Sequence, residues 1–382
     1  MQIRNSMILV CAALLITTNA LAQIDLSKGK MIDNGKLWIP DFVSEIPGLK
    51  MGPFVRRADK KIVTVGETDC LVSSDEGKTW KSYPIFQNPQ HFKISNERSL
   101  FCTKNGVLIL AFMNIAEKSG WNWNRKTSDA LGAILPTYTV RSLDGGETWE
   151  KPIKLHNEWT GANRDMIQTR NGNVVFTSMM LAHNPGRHTV LTYTSRNDGE
   201  NWERSNIIDL GGIGNHSGVT EPTLEELKDG RLWMLMRTNW GTFWEAFSTD
   251  DGISWNHIRP TSIGASSSPG MLKRLESGKL VLVWNLQFPV GKSSYRLRGG
   301  DRQWSEVAAS NFREELAVAI SDDDGKTWSK PKIIAKMMTN QDKDIMESWI
   351  AYPYVFEASP GVIWITTMQS NLRIKILEKD IH

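Results

Sequence analysis

Apolar and polar positions along this chain fall into a repeating order. Six segments read as two short apolar runs around a polar turn, the pattern of a β-hairpin. They are GPFVRRADKKIVTV from Gly52, ERSLFCTKNGVLILAFM from Glu97, NRDMIQTRNGNVVFTSMM from Asn163, EPTLEELKDGRLWMLMR from Glu221, SPGMLKRLESGKLVLVWN from Ser268 and YPYVFEASPGVIWITTM from Tyr352. Their turns are mostly Asn, Asp, Ser and Gly, which tolerate tight-turn backbone angles. Each of the first five is followed by a phrase of the form Ser-x-Asp-x-Gly-x-Thr-Trp: SSDEGKTW at Ser73, SLDGGETW at Ser142, SRNDGENW at Ser195, STDDGISW at Ser248 and SDDDGKTW at Ser321. A third strand ends at the phrase and a fourth follows it. Self-similarity at this period signals a stacked or radial architecture. Four strands per unit and six units predict an all-β fold, a six-bladed β-propeller. The sixth unit has no phrase of its own, so KLWIPDF, Lys36 to Phe42, is expected to supply its missing strand and close the ring, leaving no free edge.

The phrase is first of all structural. A small side chain ends one strand, Asp caps the turn, Gly takes the tight dihedral and Trp packs between strands. The acidic run in SDDDGKTW lacks the further ligands and closing Glu of an EF-hand calcium loop. The phrases join strands three and four and therefore lie at one end of the blades. The first residues of the hairpins, Gly52, Glu97, Asn163, Glu221, Ser268 and Tyr352, share one height at the other end and should ring the mouth of the central channel. The two longest inserts open on that face. Ala116 to Pro136 carries Trp121 and Trp123, and Gln287 to Phe312 carries Lys292, Arg296, Arg298 and Arg302. Long loops on one face of a rigid scaffold carry function.

Composition changes this picture little. The chain has 382 residues and a formal charge of +3, with no block of like charges to suggest a nucleic-acid partner. The start, MQIRNSMILVCAALLITTNALAQ, reads as a secretory signal over 1–22 with cleavage after Ala22, leaving 23–382 as the propeller. Its apolar run is too short to span a bilayer. An exported protein, periplasmic or secreted, is expected, with no membrane span in the mature chain. Cys11 leaves with the signal; Cys70 and Cys102 remain, as a disulfide or as two free thiols.

Two arginines stand out at the mouth. Arg237 ends the second strand of the Glu221 hairpin, and Arg313 opens a third strand in FREELAVAIS. Guanidinium forks hold carboxylates bidentately. With the five phrases on six hairpins, these residues resemble the sialidase-like superfamily, whose BNR or Asp-box repeats build six-bladed propellers; the likeness covers nearly the whole mature chain. The resemblance implies an arginine triad for a substrate carboxylate, a tyrosine nucleophile assisted by a glutamate, and an aspartate acid/base. Residue by residue it implies Tyr352 as nucleophile, Glu221 as its base, Arg237 and Arg313 as the second and third triad arginines, and Asp69, or else Glu67 or Asp165, as the acid. The chain departs in blade one, where Met51 and Gly52 stand in LKMGPF in place of an Arg-Ile-Pro. Lys50 offers a point charge there but no fork.

The remaining mouth residues are candidates for binding. His216 in GNHSGVTEP suits acid/base work or a hydroxyl contact. Arg164 and Asp165 open the third inner strand, as an ion pair or with Asp165 as acid. His183, Arg187 and His188 make no convincing metal set with nearby carboxylates, and no metal or cofactor is implied. Trp121, Trp123 and Trp240 suit sugar faces, whereas Trp244 suits strand packing. The expectation is an exo-acting glycoside hydrolase that removes a terminal, acidic sugar such as sialic acid from a glycan or oligosaccharide. Two alternatives stay open: a glycosidase or lyase on uronic acid- or rhamnose-containing polysaccharide, and a glycan-binding propeller without catalysis.

Overall fold

The computed structural model describes residues 24–338 and 349–381. The signal segment over 1–22 lies outside the described residues. Within them the chain is a ring of six antiparallel blades. Blade one is Val55–Arg56, Ile62–Val65, Asp69–Ser73 and Lys81–Pro84; blade two is Ser99–Cys102, Leu108–Met113, Ile134–Ser142 and Ile153–Glu158. Blade three is Met166–Gln168, Val174–Ala182, Arg187–Ser195 and Glu203–Arg204; blade four is Thr220–Glu226, Leu232–Arg237, Thr242–Ser248 and Asn256–Gly264. Blade five is Met271–Arg274, Leu280–Trp284, Glu315–Ser321 and Lys332–Met337.

Blade six takes Ala351–Ser359, Val362–Gln369 and Arg373–Leu377 from the C-terminal end and Val43–Glu45 from the N-terminal end. The closing strand is therefore not the one expected. Leu37–Pro40 instead pairs with Gly29–Ile32 and with the outer strand of blade five, Leu37 lying opposite Met337. Its four residues are all buried there. Val43, Ser44 and Glu45, only a few residues on, pair with Ile376, Lys375 and Ile374.

The cores lie between blades. Leu224, Met234 and Ala246 of blade four pack against Val175 and Val190 of blade three, and Trp255 joins them. The repeated phrase makes the same turn each time. In the first, Gly77 N–H donates to Ser73 Oγ at 2.8 Å, and Asp75 accepts from the Thr79 amide at 2.9 Å and the Thr79 hydroxyl at 2.6 Å. Gly252 sits at φ +82°, and a Cβ there would come within 2.8 Å of Val175 on the neighbouring blade, so only glycine meets both the dihedral and the contact. The third phrase has Asn197 where the others have Asp, and its Oδ1 still accepts from Ser195 Oγ and the Asn201 amide, each at 3.0 Å. Cys70 and Cys102 are free thiols, and burial pushes the Cys70 thiol up to about 12. Among the described residues no helix is long and apolar enough to cross a membrane.

Hydrogen bonds from Thr79 hold the exposed Asp75 carboxylate at about 2, against an ordinary value of 3.8. Thr327 does the same for Asp323. Folded values below the unfolded one stabilise the fold above about pH 4, and that contribution is lost as pH falls towards 2. In urea titrations the Asp75→Asn/Asp323→Asn double variant should therefore lose less of its unfolding midpoint between pH 4 and pH 2 than the parent. Equal losses would mean that these turns do not couple to folding.

Candidate active site

Two mouth residues sit in unusual backbone. Glu221 has φ +48° and Tyr352 has φ +61°, a left-handed conformation that non-glycine residues rarely adopt and that costs on the order of 1–3 kcal/mol. Each precedes a proline, Pro222 or Pro353, at the start of an innermost strand. Blade four shows a register irregularity between Thr220 and Thr223, so Glu221 steps out of the ladder. Its backbone N–H points to Met179 Sδ at 3.1 Å rather than to a strand partner.

This backbone delivers the two side chains to each other. Tyr352 OH donates to Glu221 Oε1 at 2.7 Å. Arg237 Nη1 donates to Glu221 Oε2 at 2.5 Å and to the Tyr352 oxygen at 3.3 Å. The cluster is dry: Glu221 and Tyr352 are each 8% exposed and Arg237 is 4% exposed. Arg237 is anchored through Ser267, whose Oγ accepts from Nε at 3.2 Å and Nη2 at 2.9 Å and donates to Asn239 Oδ1 at 2.6 Å. Asn239 Nδ2 in turn donates to the His216 carbonyl at 2.8 Å. Arg313 donates to the Ser267 carbonyl at 2.7 Å and to Gln369 at 3.0 Å, and its guanidinium lies 4.4 Å from the Trp349 ring and 5.5 Å from the Tyr352 ring. Its Nε, though buried, makes no hydrogen bond among the described residues.

The charges divide the labour. Burial, the largest single effect, would raise the Glu221 carboxyl, but the charge and hydrogen bond of Arg237, the Tyr352 hydrogen bond and the charge of Arg164 together hold the group below its ordinary value. Burial, reinforced by the Glu221 charge, pushes the Tyr352 phenol up to about 12. The result is an ionised carboxylate accepting a hydrogen bond from a neutral phenol. A carboxylate and a phenol so placed are able to act as base and nucleophile.

The other sequence candidates part company here. Arg164 and Asp165 do not form the expected ion pair. Neighbouring residues on a strand point to opposite sides, so Arg164 turns into the channel while Asp165 turns towards blade four. Arg164 lies over the rings of Tyr352 at 5.2 Å and Tyr354 at 5.1 Å and donates to the Pro353 carbonyl at 2.7 Å. Its Nε and Nη1 make no hydrogen bond among the described residues. Asp165 accepts from the Thr223 hydroxyl at 2.6 Å and the Leu224 amide at 3.0 Å, which ties blade three to blade four; burial raises it to about 6.

Asp69 is the first residue of the third strand of blade one, two strand spacings or roughly 10 Å out from the innermost strand, and accepts from Ser82 Oγ at 2.8 Å. No contact among the described residues joins it to Tyr352, Glu221 or Arg237. Glu67 pairs with Lys93 at 3.1 Å. In blade one the fork missing at Met51 is not restored by Lys50, which is exposed. Buried Arg98 from blade two reaches the carbonyls of Gly52 at 3.3 Å and Val65 at 2.6 Å instead. The mouth position whose chemistry the sequence reading left unassigned is Glu97. Burial first, and then the Glu221 charge, raise its carboxyl to about 7; the signal available in the sequence was its register with Glu221 and Tyr352.

His216 forms part of the rim. Its ring stacks on Trp304 at 5.3 Å, and Nδ1 lies 2.6 Å from Asn215 Oδ1. Desolvation, then the charges of Arg237 and His188, lower the imidazole, although the residue as a whole is exposed at the rim. Trp121 and Trp123 pack with Trp159 beneath their own insert. Trp240 is 37% exposed and lies 5.3 Å from Trp244. Among the described residues no group of three or more His, Cys, Asp or Glu is placed to hold a metal ion.

Comparison with known proteins agrees with this architecture. Residues 72–365 match the family model of the BNR repeat-like domain. A sialidase of Bacteroides fragilis (strain YCH46) is 23% identical over 319 residues, 76% of this chain and 54% of the relative, so the chain spans about half the length of that protein. Among solved structures, a protein of unknown function from Dyadobacter fermentans superposes with a TM-score of 0.58 at 14% identity, over 87% of this chain and 98% of that one. The sialidase of Trypanosoma rangeli bound to the inhibitor DANA gives 0.51 at 14% identity, over 91% and 57%. The α-L-arabinanase of Penicillium chrysogenum gives 0.52 at 12% identity, over 93% of each chain. At these identities the likeness shows the fold.

Removing one partner of a buried ion pair leaves an uncompensated charge, which costs about 3–5 kcal/mol. Arg237→Ala should lower the unfolding free energy by about 3 kcal/mol, and Arg237→Lys by less. A loss below about 1 kcal/mol, the range of a surface pair, would show that Glu221 is not held as a buried anion.

Proposed function

The chain belongs to the BNR repeat-like domain family, and we propose that on this sialidase-like propeller the mouth is the active site of an exo-acting glycoside hydrolase that removes a terminal acidic sugar from a glycan. The observation that carries the reading is the 2.7 Å hydrogen bond from Tyr352 OH to an ionised Glu221 inside a buried, arginine-rich cluster. Tyr352 attacks the anomeric carbon, and its proton passes to Glu221 as the new bond forms. Because the phenol in the free enzyme stands near 12, proton loss is coupled to attack and does not precede it. Arg237 steadies Glu221, while Arg313 and Arg164 offer unpartnered guanidinium N–H groups to an anionic substrate. Tyrosine nucleophiles are an established departure from the two-carboxylate scheme of glycosidases.

A second reading is favoured by blade one, where Met51 and Gly52 supply no guanidinium. On that reading the substrate is a uronic acid- or rhamnose-containing glycan, with His216 at the rim contacting its hydroxyls. The two separate on a panel of 4-methylumbelliferyl glycosides of N-acetylneuraminic acid, glucuronic acid, galacturonic acid and rhamnose.

Tyr352→Phe should lower turnover on the cleaved glycoside by a thousandfold or more, roughly the scale on which losing a nucleophile acts, with unchanged circular dichroism. Near-parent turnover in this variant would remove the nucleophile assignment. Absence of cleavage across the whole panel, with retained glycan binding, would leave a binding propeller.

A further inference from the structure

We propose that Glu97, at the start of the inner strand of blade two, is the proton donor and acceptor of this site. The inference rests on the proposed hydrolase reading and adds to it a catalytic group. It starts from register. The innermost strands begin Gly52-Pro53, Glu97-Arg98, Asn163-Arg164, Glu221-Pro222, Ser268-Pro269 and Tyr352-Pro353. Gly52 has no side chain. Asn163 turns to blade two, its Nδ2 donating to Thr137 at 3.3 Å, and Ser268 turns back into its own blade, donating to Asn285 at 2.7 Å; both are fully buried. Three of the six first positions remain for the mouth: Glu97, Glu221 and Tyr352, from alternate blades.

Glu97 is held on its main chain, and its carboxyl takes a hydrogen bond from its own backbone N–H. Its carbonyl accepts from Ser95 Oγ at 3.0 Å and the Asn163 amide at 3.4 Å. On either side, the carbonyls of Asn96 and Arg98 accept from Tyr354 OH at 2.6 and 3.0 Å. Tyr354 lies two residues after Tyr352 on the same strand, so the clamp fixes Glu97 against the strand of the nucleophile. No cation forms a salt bridge with the Glu97 carboxyl among the described residues, and the group is partly open at the mouth. The charges that act on it are Glu221, which raises it, and Arg164 and Arg98, which lower it less than burial raises it. Glu97 in turn is felt at Tyr352 and Tyr354. A carboxyl that titrates close to 7 is matched to proton transfer near neutral pH. The alternatives are occupied elsewhere: Asp69 by Ser82, Glu67 by Lys93, and Asp165 by Thr223 and Leu224.

In the first step Tyr352 oxygen bonds to the anomeric carbon, the glycosidic C–O bond breaks, and its electron pair stays on the leaving oxygen. That oxygen takes the Glu97 proton while Glu221 takes the tyrosine proton. In the second step Glu97, now a carboxylate, takes a proton from water, whose oxygen displaces Tyr352. The phenol regains its proton from Glu221, and every group returns to its starting state.

The test is Glu97→Gln, assayed on paired methyl and 4-methylumbelliferyl glycosides of each sugar in the panel. A methyl leaving group needs the acid and an aryl one hardly does. Because Glu97 also serves the second step, which both glycosides share, the comparison is made on kcat/KM, which reports the first step alone: the methyl glycoside should lose about a hundredfold or more, within the range of general acid catalysis, and the aryl glycoside about tenfold or less. The basic limb of the kcat/KM profile near 7 should disappear. Independently of any substrate, 13C-carboxyl NMR should give Glu97 a midpoint near 7 that falls in Glu221→Gln. Equal losses on both glycosides, or a midpoint in the ordinary glutamate range of about 4.3, would overturn the assignment. If Tyr352→Phe keeps its activity while Glu97→Gln shows the leaving-group split, the nucleophile reading fails and the acid stands. The converse pattern removes the acid alone.

Discussion

Val43, Ser44 and Glu45 lie antiparallel on Ile376, Lys375 and Ile374, and this short pairing turns six separate sheets into a ring. Without it, blade six would keep an open edge, and the first and last blades would be joined by side-chain packing and by isolated hydrogen bonds such as that from Gly52 N–H to Thr366 Oγ1 at 3.0 Å. Ile46 N–H continues the contact onto the Arg373 carbonyl at 2.8 Å. Leu49 then packs with Phe54, Phe356 and Trp364 across the seam. The mouth depends on this closure. Its residues come from distant parts of the chain, Glu221 and Tyr352 being 131 positions apart. Closure fixes the height of all the innermost strands at once, and so converts a sequence register into a spatial cluster.

A closed, close-packed ring also makes the cluster's local costs tolerable. Glu221 and Tyr352 hold left-handed backbone, and Glu221 and Arg237 have given up water for each other. A buried ion pair of this kind adds little net stability, and strained dihedrals subtract from it. The offset comes from elsewhere: continuous apolar strands such as Leu108–Met113 and Leu280–Trp284, buried along their whole length, and five phrase turns whose Ser hydroxyls and Asp or Asn side chains hold the turn amides. The ends of the blades differ accordingly. One end is built from repeated turns that hold left-handed residues such as Glu76 and Asp251 but bind their own amides, and the other concentrates buried charge.

Much of this was legible in the sequence because it is periodic. The hairpins, the phrase and the mouth positions follow from spacing, and Tyr352, Glu221 and Arg237 converge as their register requires. What was not legible depended on neighbours in space. LWIP at Leu37 and VSE at Val43 are both short extended segments, and only the partner strand decides which one closes the ring. The separation of Arg164 from Asp165 was in principle readable, since adjacent strand residues face opposite sides. Asp69 was placed at the correct end of its blade, but the short turn over 66–68 sets it on the third strand out. Glu97 stood at mouth height, yet its chemistry comes from burial and from Glu221, neither of which is local in the chain.

The charge inside the mouth bears on what the site can accept. Four guanidiniums, those of Arg98, Arg164, Arg237 and Arg313, are buried around it, and the carboxyls among them are Glu97 and Glu221. Arg98 spends its hydrogen bonds on carbonyls, which orient it without neutralising it. Arg164 lies against two phenol rings. Among the described residues, only Arg237 of these four has a carboxylate in direct contact. A cavity walled by low-dielectric protein with uncompensated positive charge draws anions and repels cations. The blade-one arginine expected near Met51 is absent, but the positive field does not depend on that residue. It is supplied from blades two and three, where arginine occupies the position taken by proline in the other four blades. The field therefore favours an anionic ligand, while the absence of a fork at Met51 changes the shape that ligand must fit.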